Sequence, residues 1–111
     1  MALQEKILAQ VRPSVNTAVT AYTVPASTTT IISTIHICNT SSVDVTFRIF
    51  MDDTGSTYDE TTALYYDVDI RSKETYKIQT HIGMHQAGGT LGIAVSQAST
   101  CTFTFNGAVF T

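Results

Sequence analysis

The stretch VDVTFRIFM at residues 43–51 decides the fold class, because its apolar side chains recur at every second position. Successive side chains of an extended chain point to opposite faces, so Asp44, Thr46 and Arg48 share one face of this stretch. The opposite face is apolar, and it carries Val43, Val45, Phe47, Ile49 and Met51. Strict alternation of this kind predicts a β-strand with one face in a core.

Other segments repeat or relax this pattern, and turn-forming residues separate them. The segment 29–38 is almost continuously β-branched, which predicts a strand covered on both faces. In the segment 63–70 we expect one face to carry Leu64, Tyr66, Val68 and Ile70. The further predicted strands are 17–24, 76–82, 91–95 and 101–109, with residues 6–11 as an additional candidate.

Seven or eight strands in 111 residues, at a spacing of about 8–12 residues, predict an all-β fold. We expect a two-layer antiparallel sandwich, jelly-roll-like or immunoglobulin-like, because such sandwiches are commoner at this size than an up-and-down meander. The alternation leaves these topologies open. Residues 15–111 are predicted to form a single β-sandwich domain. Residues 1–14 are predicted to be an N-terminal arm or an edge strand, because Pro13 lacks the N–H that a sheet ladder needs.

The predicted core consists of the apolar faces of the most regular strands. Large side chains at these alternating positions are expected to meet between the two sheets. The residues assigned to this core are Phe47, Ile49, Tyr76, Ile78, Ile93, Val95, Phe103 and Phe105.

Composition excludes several classes of partner. Charged residues are 14% of the chain and the formal net charge is −3, so the sequence lacks the basic surface of a nucleic-acid binder. Its apolar runs are far shorter than the ~20 residues of a membrane-spanning helix. The first residues do not read as a secretory signal, so we expect synthesis in a cytoplasm. Few charges beside 43% hydrophobic residues indicate a protein that lives in an assembly.

The acidic segment 52–60 is the strongest candidate for a metal site, and a solvated hairpin loop is the competing interpretation. Carboxylates suit Ca²⁺, but the spacing lacks the EF-hand pattern, so we favour the loop and expect no cofactor. The carboxylates concerned are Asp52, Asp53, Asp59 and Glu60.

Apolar and aromatic residues near the N-terminus and beside the acidic segment are the candidates for a contact surface. Tyrosine offers a large contact area at low entropic cost, so a subunit contact and stacking on sugar rings both fit the three tyrosines. The interface candidates are Leu3, Ile7, Leu8, Val11, Tyr58, Tyr65 and Tyr66.

Catalytic motifs are missing from the sequence. It contains no Gly-x-Ser-x-Gly elbow, and the Gly88-Gly89-Thr90 turn is too short for a phosphate-binding loop. Cys38 and Cys101 lie in apolar strand segments and are expected to be free thiols, although pairing stays open if the strands are neighbours. We therefore expect a non-enzymatic protein.

Several segments carry a resemblance to one family. VRPS at 11–14, YTVPA at 22–26, TTTIISTIHICNT at 28–40 and TALYY at 62–66 resemble small virion proteins of tailed bacteriophages, of the head-decoration (cement) kind. The resemblance implies a capsid decoration protein that binds and stabilises the major capsid protein lattice as a homo-oligomer, with a trimer favoured. It implies a place in the virion after assembly in the host cytoplasm. The alternative is a tail- or fibre-associated module that binds a host receptor or carbohydrate.

The sequence makes one direct spectroscopic prediction. Because the period of two dominates and the helical period is almost missing, far-UV circular dichroism should give a β spectrum with little helix. A helix content above about a quarter would contradict the strand assignments.

Overall fold

The computed structural model describes residues 3–111, which form eight β-strands in two four-stranded antiparallel sheets and contain no helix. The predicted all-β sandwich is thereby confirmed. Strand boundaries follow the alternating segments, with proline and turn residues between them. The strands are β1 (Leu3–Val11), β2 (Val19–Thr23), β3 (Thr29–Asn39), β4 (Val45–Asp52), β5 (Ala63–Ile70), β6 (Thr75–Met84), β7 (Thr90–Val95) and β8 (Cys101–Phe110).

The strand order makes the sandwich a jelly roll. The first sheet runs β1-β8-β3-β6 and the second runs β2-β7-β4-β5. Each strand of the first half of the chain pairs with its mirror strand in the second half, as in a long hairpin ribbon folded over itself. An immunoglobulin sandwich places its first strand beside its second, whereas β1 lies beside β8. The strand order therefore selects the jelly roll over the immunoglobulin-like sandwich, which the alternation of side chains had left open.

The core lies between the inner faces of the two sheets. Phe47 of the second sheet meets Phe103 of the first edge to face, with ring centroids 6.1 Å apart. Seven of the eight predicted core residues are buried, which confirms the assigned faces of β4, β7 and β8. The buried residues of that prediction are Phe47, Ile49, Ile78, Ile93, Val95, Phe103 and Phe105.

Two residues assigned to the apolar faces lie at the surface instead. Tyr76 is 36% exposed, because it lies near the start of the edge strand β6, and its ring lies edge to face with Phe47 at a centroid distance of 5.4 Å. Val43 is also exposed, because β4 begins at Val45 and residue 43 belongs to the preceding turn. The Asn39 side chain closes that turn by donating a 2.8 Å hydrogen bond to the Val43 carbonyl.

The predicted face of β5 is confirmed at Val68 and Ile70 but wrong at Leu64 and Tyr66, because a β-bulge interrupts the strand. Val68 lies opposite Phe47, and Tyr65 lies opposite Ile49. Between these two pairs β5 therefore contains one residue more than β4. Asp67 within this bulge has a φ of 51°. A bulge reverses the side-chain alternation on its two sides. Tyr65 and Val68 consequently pack against the core, while Leu64 and Tyr66 are exposed.

Strand β3 is covered on one face only. Its inner face is buried in the core, and Ile31, His36 and Cys38 on its outer face are half-buried. Within residues 3–111 the outer face of β3 is therefore not fully covered, although its β-branched composition predicted cover on both faces. This partly uncovered outer face of a central strand is a candidate contact surface.

The N-terminal segment forms an edge strand of the first sheet. β1 pairs with β8 from Leu3 opposite Phe110 to Val11 opposite Phe103, with a register shift between Ile7 and Ala9. Beyond the strand, the Ser99 N–H donates to the Pro13 carbonyl at 2.8 Å. Residues 1 and 2 of the predicted arm lie outside the described residues.

Both cysteines are free. Cys38 lies opposite Thr102, whereas Cys101 lies opposite Asn39, so the two thiols point to opposite faces of one sheet. Burial raises the pKa of the Cys101 thiol, which keeps it in its unreactive protonated form.

The core assignment predicts a large effect of truncating Phe103. The Phe103→Ala variant should lose on the order of 3–5 kcal/mol in free energy of unfolding, as measured by urea denaturation, because the cavity opens between both sheets. Phe110→Ala, on the same strand but half-buried on the outer face, is the matched control and should lose much less. Equal losses would mean that the faces of β8 are assigned the wrong way round.

Candidate functional site

The predicted interface residues near the N-terminus divide between two faces of the first sheet. Leu3 and Ile7 are 58% and 56% exposed and lie on the outer face, opposite Phe110 and Asn106. Leu8 and Val11 are half-buried and pack against the core. Only the first pair is available to a partner.

A shallow groove of about 260 Å³ runs beside Leu3 on this outer face, and we call it the N-terminal groove. A single row of the sheet builds its floor, since Glu5 lies opposite Ala108 and Ala108 lies opposite Ile31. The short side chain of Ala108 leaves the depression between its larger neighbours. The residues that line the groove are Leu3, Glu5, Ile31, Ser33, Gly107 and Ala108.

Gly107 allows the close approach of β8 and β3 beneath the groove. A Cβ at this position would collide with the Ile31 carbonyl oxygen, and it would lie 3.1 Å from the Ile32 Cα. The register of β3 against β8 shifts between Ile32 and Thr34 at the same place. Glycine is therefore the residue that this irregular stretch of the ladder accommodates.

The outer edge of β1 is a second feature of the same surface. β1 is the terminal strand of its sheet and pairs with β8 on one side only. An edge strand presents backbone N–H and C=O groups that another chain can pair with. Glu5 and Lys6, both exposed, are the charged residues of this edge.

The acidic segment forms the β4–β5 loop, and Asp52 organises it. Its carboxylate accepts hydrogen bonds from the backbone N–H groups of Thr57 at 2.8 Å and Thr54 at 3.1 Å. These bonds, with that of Thr57 the strongest, hold the pKa of Asp52 below its ordinary value. Across residues 3–111 no three His, Cys, Asp or Glu side chains converge as metal ligands would, so Asp53, Asp59 and Glu60 are not brought together with it.

Tyr58 folds this loop over the outer face of the second sheet. Its ring stacks on Phe50 with centroids 5.7 Å apart, and its hydroxyl lies 2.7 Å from the hydroxyls of both Thr20 and Thr90. Gly92 makes room for the ring, because a Cβ there would lie 2.6 Å from it. Tyr58 is therefore committed to packing within the chain.

Phe50 is a residue that the sequence reasoning missed. It lies on the outer face of β4, yet Tyr58 and the neighbouring Tyr66 ring leave it only 2% exposed. The sequence signal for its burial is the adjacent pair Ile49-Phe50, because strict alternation predicts a polar residue at position 50. Two consecutive buried side chains on a strand require cover on both faces.

The three tyrosines do not form one cluster. Tyr65 packs against the core, while Tyr58 stacks on Phe50 and Tyr66 meets Phe50 edge to face on the outer face of the sheet. Because Tyr65 faces the core and the Tyr58 ring is stacked on Phe50, the three rings do not present a joint stacking platform for a sugar.

A polar pocket of about 170 Å³ lies next to Tyr66, and we call it the Arg48 pocket. Arg48 donates through Nε to Asp67 Oδ1 at 2.6 Å and through Nη2 to Asp67 Oδ2 at 3.1 Å. This side-chain hydrogen bonding raises the pKa of Arg48 and lowers the pKa of Asp67. The lining residues are Asn16, Thr46, Arg48, Asp67, Ala94, Val95 and Ser96.

The fold resembles that of proteins in viral particles. No protein-family model and no curated protein matches the sequence. A chain of the T13 infectious bursal disease virus particle aligns over 97% of this chain and 30% of its own length, with 9% identity and a TM-score of 0.58. The VP2 subviral particle of the same virus aligns over 97% and 31%, with 15% identity and a TM-score of 0.51. This chain thus spans about a third of the length of those proteins.

Carbohydrate-binding modules also occur among the structural neighbours. CBM35 from Paenibacillus barcinonensis aligns over 100% of this chain and 99% of its own, with 11% identity and a TM-score of 0.44. A likeness at that level carries no argument about a binding site. In the part of the chain that the structure describes, no helix is long and apolar enough to cross a membrane.

The bonding of Asp52 predicts a pH dependence of stability. A lowered folded pKa means that its contribution is present above the ordinary value of 3.8 and is lost as pH falls through the folded value. Asp52→Asn should therefore melt below the unmodified protein at neutral pH, and the difference in Tm should shrink on acidification below about pH 4. Asp53→Asn, an exposed neighbour in the same loop, is the control. A Tm difference that does not change with pH would contradict this role of the carboxylate.

Proposed function

We propose that this protein is a non-enzymatic structural component of a virion, most specifically a decoration (cement) protein on the capsid of a tailed bacteriophage. In this proposal it assembles in the host cytoplasm, binds the lattice of the major capsid protein and acts as a homotrimer. It uses neither nucleic acid nor a membrane nor a cofactor. The observation that carries the proposal is the exposed apolar edge of the first sheet.

That edge combines two properties of a contact surface. Leu3 and Ile7 expose large apolar side chains next to the N-terminal groove, and β1 offers an unpaired strand edge beside them. Two large apolar side chains exposed on either side of Glu5, next to an unpaired strand edge, fit a protein–protein contact. A strand of the capsid lattice could pair with β1 while apolar side chains fill the groove.

The outer face of β3 supports the assignment of this surface as the contact with the capsid. Ile31 lies in the groove, and the β-branched composition of β3 suits a strand with cover on both sides. Residues 3–111 cover the inner face of β3 fully and its outer face only in part. A docked coat subunit would complete that cover, which accounts for a strand more apolar than its position in the isolated chain requires.

The fold and the sequence resemblance point in the same direction. The jelly roll is the fold that this chain has in common with the infectious bursal disease virus particle. The resemblance of residues 11–14, 22–26, 28–40 and 62–66 to small phage virion proteins supports the more specific assignment. The lack of a catalytic motif in the sequence supports a role without chemistry.

The small size of this contact surface suits binding through many weak contacts. A single edge and groove bury little area, so one copy would bind weakly. A trimer presents three such edges, and linked contacts convert the second and third binding events into intramolecular ones. Ligands that bind the assembled shell and not its disrupted form stabilise it by mass action.

The test adds purified protein to particles that lack it and records their melting, with electron microscopy to locate the added density. The unmodified protein should raise the disruption temperature, and Ile7→Glu should not, because it replaces an exposed apolar contact with a second carboxylate beside Glu5, which must be desolvated on docking. Val43→Glu, an equally drastic change at an exposed residue outside this surface, is the matched control and should still stabilise the particles.

Two outcomes would overturn the proposal. Particles that melt at the same temperature with density on the tail would favour the tail-associated alternative. Equal effects of Ile7→Glu and Val43→Glu would mean that β1 is not the contact. Circular dichroism of both variants, and sedimentation of the unmodified protein to count its subunits, complete the experiment.

A further inference from the structure

We propose that the Arg48 pocket on the outer face of the second sheet binds a single ring of a neutral sugar. This inference is independent of the capsid role, since it concerns the other sheet. It also moves the candidate sugar site away from the tyrosine-bearing loop, whose Tyr58 is committed to Phe50, Thr20 and Thr90.

The pocket contains a polar pair that is already fixed in the free protein. The Arg48 guanidinium is held on one side by two hydrogen bonds to Asp67, and its Cζ lies 3.9 Å from the centroid of the Tyr66 ring. Asp67 uses two of the five guanidinium N–H groups. The side chains remain 37% and 49% exposed, so their other polar edges can reach a ligand without rearrangement.

A backbone irregularity lies at this pair. Asp67 lies in the left-handed region with a φ of 51°, within the bulge of β5. Aspartate tolerates this conformation better than most residues. Bulges re-aim side chains next to functional sites, and an unfavourable backbone conformation persists where the surroundings hold it. The regular register on one side of the bulge pairs Thr46 with Asp69 and Phe47 with Val68, so the next position along, Asp67, lies beside Arg48 on the neighbouring strand.

The remaining wall supplies hydroxyl and amide groups over a small apolar floor. The Thr46 N–H donates to Ser96 Oγ at 2.9 Å, and the Ser96 N–H donates to the Thr46 carbonyl at 3.0 Å. The Ser96 hydroxyl is thereby positioned with its own proton available to a ligand. Asn16 adds an exposed amide, and Ala94 lies on the pocket floor.

Charge and size select the ligand class. Arg48 and Asp67 balance each other, so the pocket offers no net charge to an anion or a cation. It does offer closely spaced donors and acceptors, which match neighbouring hydroxyl groups of a sugar. Its volume of about 170 Å³ is small beside the ~300–1,000 Å³ of pockets for drug-sized ligands, so it suits one ring and not a long chain.

The location of the Arg48 pocket would allow it to bind a sugar while the protein is docked on a capsid. The N-terminal groove belongs to the first sheet and the Arg48 pocket to the second, so one face can dock while the other stays open. Many copies on one particle would turn weak single sites into strong attachment to a glycan-bearing surface.

The direct test is a titration of the ¹⁵N-labelled protein, followed by amide chemical shifts. The probes are glucose, galactose, mannose, xylose and N-acetylglucosamine, with glucuronate and inorganic phosphate as charged comparisons. At least one neutral sugar should give saturable shifts at Thr46, Asp67 and residues 94–96, with the millimolar affinity expected of a small ligand. Shifts with none of the five sugars, or saturation by phosphate in their place, would overturn the proposal.

Variants then assign the binding to this pocket. Asn16→Ala changes an exposed loop residue and should weaken binding several-fold without loss of stability. Asp67→Asn removes the charge balance and should abolish binding of the neutral sugar. Gln79→Ala, an exposed polar residue on the first sheet, is the matched control and should bind unchanged. Unchanged affinity in both pocket variants would place the sugar elsewhere and reject the inference.

Discussion

The antiparallel ladder between β3 and β8 is the interaction on which the rest of the structure depends. It runs from Thr29 opposite Phe110 to Asn39 opposite Cys101, and it sets Ile35 and Ile37 directly beside Phe105 and Phe103. β1 and β6 then attach to its two sides. Because its partners come from distant parts of the chain, the loop between them must close before the ladder can stabilise anything.

The same ladder determines which surfaces are left for other molecules. Its inner face is the core, while its outer face is crossed by the N-terminal groove and remains half-exposed. In the second sheet, the outer face around Phe50 is covered by the chain itself, because the Tyr58 ring stacks on Phe50. The loop covers the outer face of the second sheet around Phe50, whereas the outer face of β3 in the first sheet stays partly exposed.

Two local irregularities give each sheet its distinctive surface. In the first sheet, Gly107 and the register shift of β3 let two strands approach beneath the groove. In the second sheet, the bulge of β5 lies at Asp67, whose carboxylate pairs with Arg48 beside Tyr66. Both are departures from regular alternation, and both coincide with the candidate binding surfaces, as expected where a sheet is adapted for recognition.

The sequence alone determined the all-β class, the approximate position of the strands and most of the core. Alternation is a local property, so residues 43–51 and 101–109 reveal their apolar faces without knowledge of their neighbours. It could not reveal that Tyr76 and Val43 lie at the surface, because exposure at a strand end depends on what packs there.

Only the tertiary structure decided the jelly-roll order, the reversed face of Leu64 and Tyr66, and the burial of Phe50. Each of these depends on which distant segment lies opposite: β8 beside β1, a bulge measured against β4, and Tyr58 folded over Phe50. Strand pairing is selected by packing across the whole domain, and a period of two carries no information about the partner.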